Sequence, residues 1–429
     1  LIAQRLRQAV KQGAQLNLIN PVGDDLLTKV ANCAIVAPNA MAGMLAQVLK
    51  AVAELKEVEI PDTAKNALNT ISVTDTARAM ATSLINNKPA AVFLGNLAQH
   101  HPHYADIHAL AQHIAQIAEA GFGILGEAAN SVGAYIAGAV PGETFSGTFA
   151  SNADQPDLAE VNASQTHGMN AAAIVADPCQ AYVLMNLEPE LDSYNPQKTM
   201  QALDAAELVV IMSAYVNHAV LEGNYADVLL PIAPFTETSG TFISTEGRVQ
   251  SFNGVVAPFG DARPAWKVQR VLGNMLGLEG FDYETSEQVR ADILPAGGDI
   301  SARLDNNLRS FVVDDVRSMS GPMNEPSGDE IQRIGEVPIY QADPIVRRAE
   351  SLQRTRDAAA PLAWMPGNLM DKLGIRAGDN VRLKQGDGEI QLPAAQDDKL
   401  PANCVRVASA HPVTAALGEM FGQIVVERL

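Results

Sequence analysis

The order of the apolar segments predicts an α/β fold, with parallel sheets wound by helices on both faces and a small β domain at the end. Two patterns carry that prediction. Helical stripes alternate with short, continuously apolar runs such as Ala90 to Gly95 and Leu208 to Met212, and such runs are what a strand buried on both faces looks like. The last 70 or so residues instead show short strands separated by Gly378-Asp379 and Gly386-Asp387-Gly388.

In chain order, Ile2, Leu6, Ala9 and Val10 share one helical face, Gly13 supplies a left-handed stop, and Leu16 to Ile19 reads as a strand ended by Pro21. Met41, Met44, Leu45, Val48, Leu49, Val52 and Leu55 form a second stripe, with Asn39 as its expected N-cap. A helix is expected over Thr74 to Asn87 and another from Tyr104 to Ala120, stopping at Gly121. Ala181 to Met185, a helix around Met200 and Leu203, Leu208 to Met212 and Val228 to Ile232 continue the alternation. From Pro295 to about Pro361 the periodicity weakens, and Gly321-Pro322 and Glu325 to Gly328 read as connector.

Composition narrows the function. The 429 residues suggest about three domains. A net charge of −19 repels phosphate backbones and acidic headgroups, so nucleic-acid binding and a polybasic anchor are not expected. No run reaches the roughly 20 apolar residues of a spanning helix; Leu208 to Leu221 is broken by Ser213, Asn217 and His218. Cys33, Cys179 and Cys404 lie more than a hundred residues apart and match no cluster spacing, so they read as reduced, packed thiols. The chain opens at Leu1 inside a helix, which reads as a fragment of a longer protein.

Three motifs invite chemistry. Gly121 to Gly126 satisfies GxGxxG, but a helix comes first, so the segment is expected to be a loop rather than a dinucleotide site. Gly142 to Thr148 has phosphate-loop glycine spacing but lacks the lysine. Five histidines fall between His100 and His113; His101 and His103 could share a metal with Asp106 behind them, but a loop and helix surface enriched in histidine is the expected reading. No catalytic triad, zinc-protease or EF-hand pattern appears.

The most distinctive segment is Ala226-Asp227-Val228-Leu229-Leu230-Pro231, then Glu237 to Phe242, then Thr245 to Gln250. It reads as a strand, a polar loop and a hairpin turning at Glu246-Gly247, with Glu237 capping a backbone or pairing with Arg248. With Ala262 to Lys267 after it, the segment closely resembles the molybdopterin oxidoreductase superfamily. Within that superfamily the likeness is to the large iron-sulfur subunits of respiratory complex I (NADH-quinone oxidoreductase), with counterparts at Leu94-Gly95 and Asn130 to Ala134.

The resemblance implies Rossmann-like doubly wound layers over 1–40 and 165–290, an inserted α/β domain over 41–164, a linker over 291–360 and a β-barrel-like domain over 361–429. It further implies a scaffold role in electron transfer from NADH to quinone, coupled to proton translocation. Iron-sulfur clusters are expected upstream of Leu1, and no catalytic, cofactor-binding or metal residues within this segment. Other peripheral-arm subunits are the expected partners, at the cytoplasmic side of the inner membrane without direct insertion. An active molybdenum or tungsten pterin enzyme such as a formate dehydrogenase, or a small-molecule-binding α/β protein, is the alternative.

Overall fold

The computed structural model describes residues 2–60, 64–65, 68, 71–139, 141, 169–216, 220–221, 225–294, 300 and 330–429. It forms two compact units, one of residues 1–125, 306–342 and 346–429, the other of 126–305 with 343–345.

In the first unit, helix α1 (Ile2–Lys11) stops at Gly13, whose φ of +102° is open to glycine without strain. Strands β1 (Asn17–Asn20) and β2 (Asn32–Ile35) pair in parallel. Asn32 Nδ2 donates to Asn17 Oδ1 at 2.7 Å, and Asn17 Nδ2 donates to Ser83 Oγ at 2.9 Å on the adjoining helix. Helix α2 (Met41–Lys56) corrects one expectation: Ala40, not Asn39, precedes its first turn, because Pro38 opens a short 3₁₀ turn. The Asn39 N–H points instead to Gln332 Oε1 at 3.3 Å.

Met41, Met44, Val48, Leu49 and Val52 are buried in one core with Met80 of α3 (Asp75–Asn86) and with Ile107, Leu110 and Ile114 of α4 (Tyr104–Ile117). Each such side chain contributes about 1.5–3 kcal/mol by leaving water. Ala46, Ala51, Ala81, Ala111 and Ala115, all fully buried, let the three helices lie close. Leu55, at the far end of the stripe, is exposed.

Strand β3 (Ala91–Leu94) pairs in parallel with β4 (Gly121–Ile124), so the GxGxxG segment begins as a strand, not as the expected loop. Phe122 supplies the core anchor, and a side chain at Gly123 would lie 2.9 Å from the Phe93 ring, so glycine there makes room for an aromatic rather than for a phosphate.

The second unit contains helix α5 (Ser131–Ile136) and the parallel sheet β5 (Ala181–Met185), β6 (Leu208–Ser213) and β7 (Val228–Pro231), in that order. One face packs Tyr182, Val209 and Ile211 against Ala202 and Leu203 of helix α6 (Pro196–Asp204). Strands β8 (Gly240–Ile243) and β9 (Val249–Phe252) make the expected hairpin, with Gly247 at φ +81° in the turn. Helices α7 (Ala265–Met275) and α8 (Ser286–Ile293) follow, the latter opened by a Thr285/Gln288 capping box.

The first unit resumes at β10 (Gln332–Ile334), a strand inside the stretch of weak periodicity. With β11 (Ala363–Met365), β12 (Asn380–Gln385), β13 (Gly388–Gln396), β14 (Cys404–Arg406), β15 (Phe421–Gln423) and β16 (Val425–Arg428) it forms a curled seven-stranded sheet. Its order is β15-β10-β14-β11-β13-β12-β16. The core includes Val381, Leu383, Val405 and Val407.

Arg333 is buried beneath it, donating from Nη1 to Gln385 Oε1 (2.9 Å), Gly418 O (3.2 Å) and Glu419 O (3.0 Å), and from Nη2 to Ala408 O (3.3 Å) and Ser409 Oγ (3.1 Å). Arg406 joins this sheet to the β1–β2 region, bridging Asp24 (2.9 Å) and Glu336 (2.6 Å). His101 does the same: its Nε2 lies 2.9 Å from Pro38 O, its Nδ1 accepts from His103 N–H at 3.0 Å, and its ring lies 5.5 Å from that of Phe421. Among the described residues no helix is long and apolar enough to cross a membrane.

Two outcomes follow from these buried polar groups. Arg333→Met leaves several carbonyls without a donor and should lower unfolding stability by about 3 kcal/mol; in urea melts, Arg333→Lys should recover only part of it, since one ammonium cannot span the same acceptors. Burial pushes His101 down to about 4, from an ordinary 6.5. The neutral ring therefore stabilises the fold fully above pH 6.5, and that contribution, about 3 kcal/mol at most, is lost as pH falls towards 4. Chemical denaturation across that window should show a shallower acid slope in His101→Asn; an unchanged slope would refute the assignment.

Candidate functional site

The distinctive segment begins at β7, where Asp227 holds both sides of its neighbour on β6: its N–H donates to Val209 O at 2.9 Å and its Oδ2 accepts from Val209 N–H at 2.7 Å. Pro231 ends the strand, and the chain returns at Arg263, which bridges Ile232 in parallel and sets the start of α7 beside the strand end.

Of the two roles expected for Glu237, capping a backbone or pairing with Arg248, the structure shows the first. Glu237 Oε2 accepts from the Phe259 N–H at 2.9 Å, because the 254–259 loop folds across it. That closure needs Gly254: a β-carbon there would sit 3.0 Å from the Glu237 carbonyl carbon and the Thr238 nitrogen. Ser239 Oγ meets Ser286 Oγ at 2.8 Å, tying the loop to α8.

Local reading missed the role of Asn130. Its Oδ1 accepts from Ile243 N–H at 2.8 Å, which brings the Asn130 to Ala134 motif onto the hairpin across 113 residues. Gly133 lies directly on that amide, where any side chain would collide with it.

These pieces border a groove of about 540 Å³. Its lining includes Arg263, Trp266 and Lys267, the carboxylates of Glu237, Glu284 and Glu287, and Pro258. Hydrogen bonds from its own backbone and from Thr285 hold the Glu287 carboxyl below its usual range. The Lys267 ammonium lies 5.3 Å from the Trp266 ring centroid, and the buried Trp266 indole N–H has no hydrogen-bond partner among the described residues.

The histidines do not assemble a metal site. Both ring nitrogens of His101 face backbone partners, His103 Nδ1 lies 3.8 Å from Asp106, His108 stands edge-on to Phe122, and His113 is buried in the helical core. Among the described residues no group of three or more His, Cys, Asp or Glu could hold a metal. Gly142 to Thr148 lies outside the described residues.

The sequence pattern of the family described as Molybdopterin oxidoreductase matches residues 2–275. The chain belongs to the molybdopterin oxidoreductase family. It is 34% identical over 119 residues to the mitochondrial NADH-ubiquinone oxidoreductase 78 kDa subunit of Candida albicans, covering 28% of this chain and 14% of that protein. A formate dehydrogenase-like protein of Staphylococcus haemolyticus is 29% identical over 92 residues, 21% of this chain and 9% of that one. The matches thus span a small part of either relative. Acetylene hydratase from Pelobacter acetylenicus shares the fold, with a TM-score of 0.65 at 14% identity, over 99% of this chain and 75% of that one.

The family name implies a pterin-bound metal, and the described donors do not fit one. A metal-binding thiol must ionise, yet Cys404 is buried in the sheet core, where burial pushes it up to about 12. A pyrophosphate in the groove would meet Glu237, Glu284 and Glu287 against only Arg263 and Lys267.

Closure of the 254–259 loop over Glu237 rests on Gly254, and the seating of α5 on the hairpin rests on Asn130. Gly254→Ala should cost about 1–3 kcal/mol through backbone displacement, and Asn130→Ala about 1–2 kcal/mol through the lost Ile243 bond. Thermal melts together with amide exchange at Ile243 and Phe259 check both; unchanged protection in either variant contradicts that contact.

Proposed function

We propose that this family member is the scaffold portion of the large iron-sulfur subunit of a complex I-type NADH:quinone oxidoreductase. In this reading it supports electron transfer to quinone, coupled to proton translocation, while the iron-sulfur clusters sit in another part of the full subunit. It contributes packing and docking surface to neighbouring peripheral-arm subunits on the cytoplasmic side of the inner membrane, without inserting into it.

The observation that carries the reading is apolar surface where a fold of this class usually has cover. A parallel sheet is ordinarily buried on both faces, yet Val183 is 59% exposed, and Leu208 and Val228 are exposed on the same face. On α7, Val271, Leu272, Met275 and Leu276 are exposed as well. Contiguous apolar patches of this kind mark protein interfaces. The likeness to the Candida albicans subunit supports the same assignment.

The second reading, an active molybdenum or tungsten oxidoreductase such as a formate dehydrogenase, draws on the 29% identity to the staphylococcal protein. Purification of the native assembly separates the two. The scaffold reading expects co-purification with membrane-complex subunits and no stoichiometric molybdenum or tungsten by elemental analysis. A stoichiometric amount of either metal, bound to this chain, defeats it.

A further inference from the structure

The groove of the second unit carries both signs of charge without joining them. Arg263 and Lys267 stand at the start of α7, Glu284 and Glu287 at the start of α8, and all four line the same space. Among the described residues, neither cation comes within the 4.0 Å ion-pairing distance of either carboxylate. Opposite charges on a mobile surface usually collapse onto one another or are left to water. Here the Arg263 guanidinium is turned back to the carbonyls of Gly260 and Ala262, and Lys267 is drawn over the Trp266 ring. The two signs thereby stay unpaired with each other in one lining, with the indole of Trp266 and the ring of Pro258 among the apolar surfaces of the groove.

That arrangement selects a ligand by its dipole. A purely anionic molecule is repelled by Glu237, Glu284 and Glu287 and by a chain of net charge −19, and a purely cationic one meets Arg263 and Lys267. A molecule with one charge of each sign satisfies both sets of side chains. The volume, about 540 Å³, lies inside the range of roughly 300–1,000 Å³ usual for small-molecule sites.

We propose that the groove binds a zwitterion of the amino-acid or short-peptide class, its carboxylate towards Arg263 and Lys267 and its ammonium towards Glu284 and Glu287. The site is independent of any pterin and of the docking surfaces.

Titration calorimetry on the full chain tests this with glycyl-leucine as the probe, beside N-acetyl-glycyl-leucine, glycyl-leucinamide and inorganic pyrophosphate. The dipeptide should saturate, and each blocked form should bind about tenfold more weakly. Lys267→Met should weaken glycyl-leucine and the N-acetyl form while leaving the amide unchanged, and Glu284→Gln should do the reverse. Unchanged melting midpoints would show that both variants fold. Failure of the dipeptide to saturate by about 10 mM, tighter binding of pyrophosphate, or binding indifferent to both substitutions would each overturn the proposal. None of these outcomes bears on metal content or co-purification, so the scaffold reading stands or falls separately.

Discussion

Three side-chain oxygens, on Asp227, Asn130 and Glu237, each accept a main-chain N–H, and the shape of the second unit depends on these bonds. Their donors are Val209, Ile243 and Phe259. A buried or half-buried N–H without a partner costs about 1–3 kcal/mol, so where a strand edge or a loop leaves the ladder, a side chain must replace it. Asp227 holds β7 to β6, Asn130 holds α5 to β8, and Glu237 closes the 254–259 loop. Beside the hairpin and α8 these bonds are backed by an apolar cluster of Ile243, Leu294 and Ile300 with Val132 and Ile136 of α5.

This use has a chemical consequence. Asp227 and Glu237 each have one carboxylate oxygen engaged by a backbone donor. Arg263, Lys267, Glu284 and Glu287 stand beside Glu237 in the groove lining, near the starts of two helices, and such a set can orient a dipolar molecule.

Much of the fold was legible because burial imposes a period. The methionine stripe of α2, the apolar strands β3, β5, β6 and β7, and the hairpin turn at Gly247 all announce themselves within a few residues of chain. What failed to show was decided at a distance. Gly121 to Ile124 carries two glycines and too little apolar pattern to read as a strand; its partner Ala91 to Leu94 makes it one. Asn39 has the right chemistry for a cap, but Gln332 at the other end of the chain takes its N–H. Strand β10 is three residues with a buried arginine at its centre, the reverse of the usual signal. The Asn130 to Ile243 bond links positions whose local sequences give no hint of each other.

The described residues of this member of the molybdopterin oxidoreductase family are joined by contacts between the polypeptide's own groups. Alanine-rich helix contacts in the first core, side-chain-to-backbone bonds around the groove and the Arg333 fan beneath the curled sheet all close within the polypeptide. A protein whose fold is stabilised by a bound ion unfolds when its donors are lost, because binding and folding free energy are then the same quantity. Here the described thiols lie apart, one exposed on β2, one half-buried beside the β5 core and one in the sheet interior.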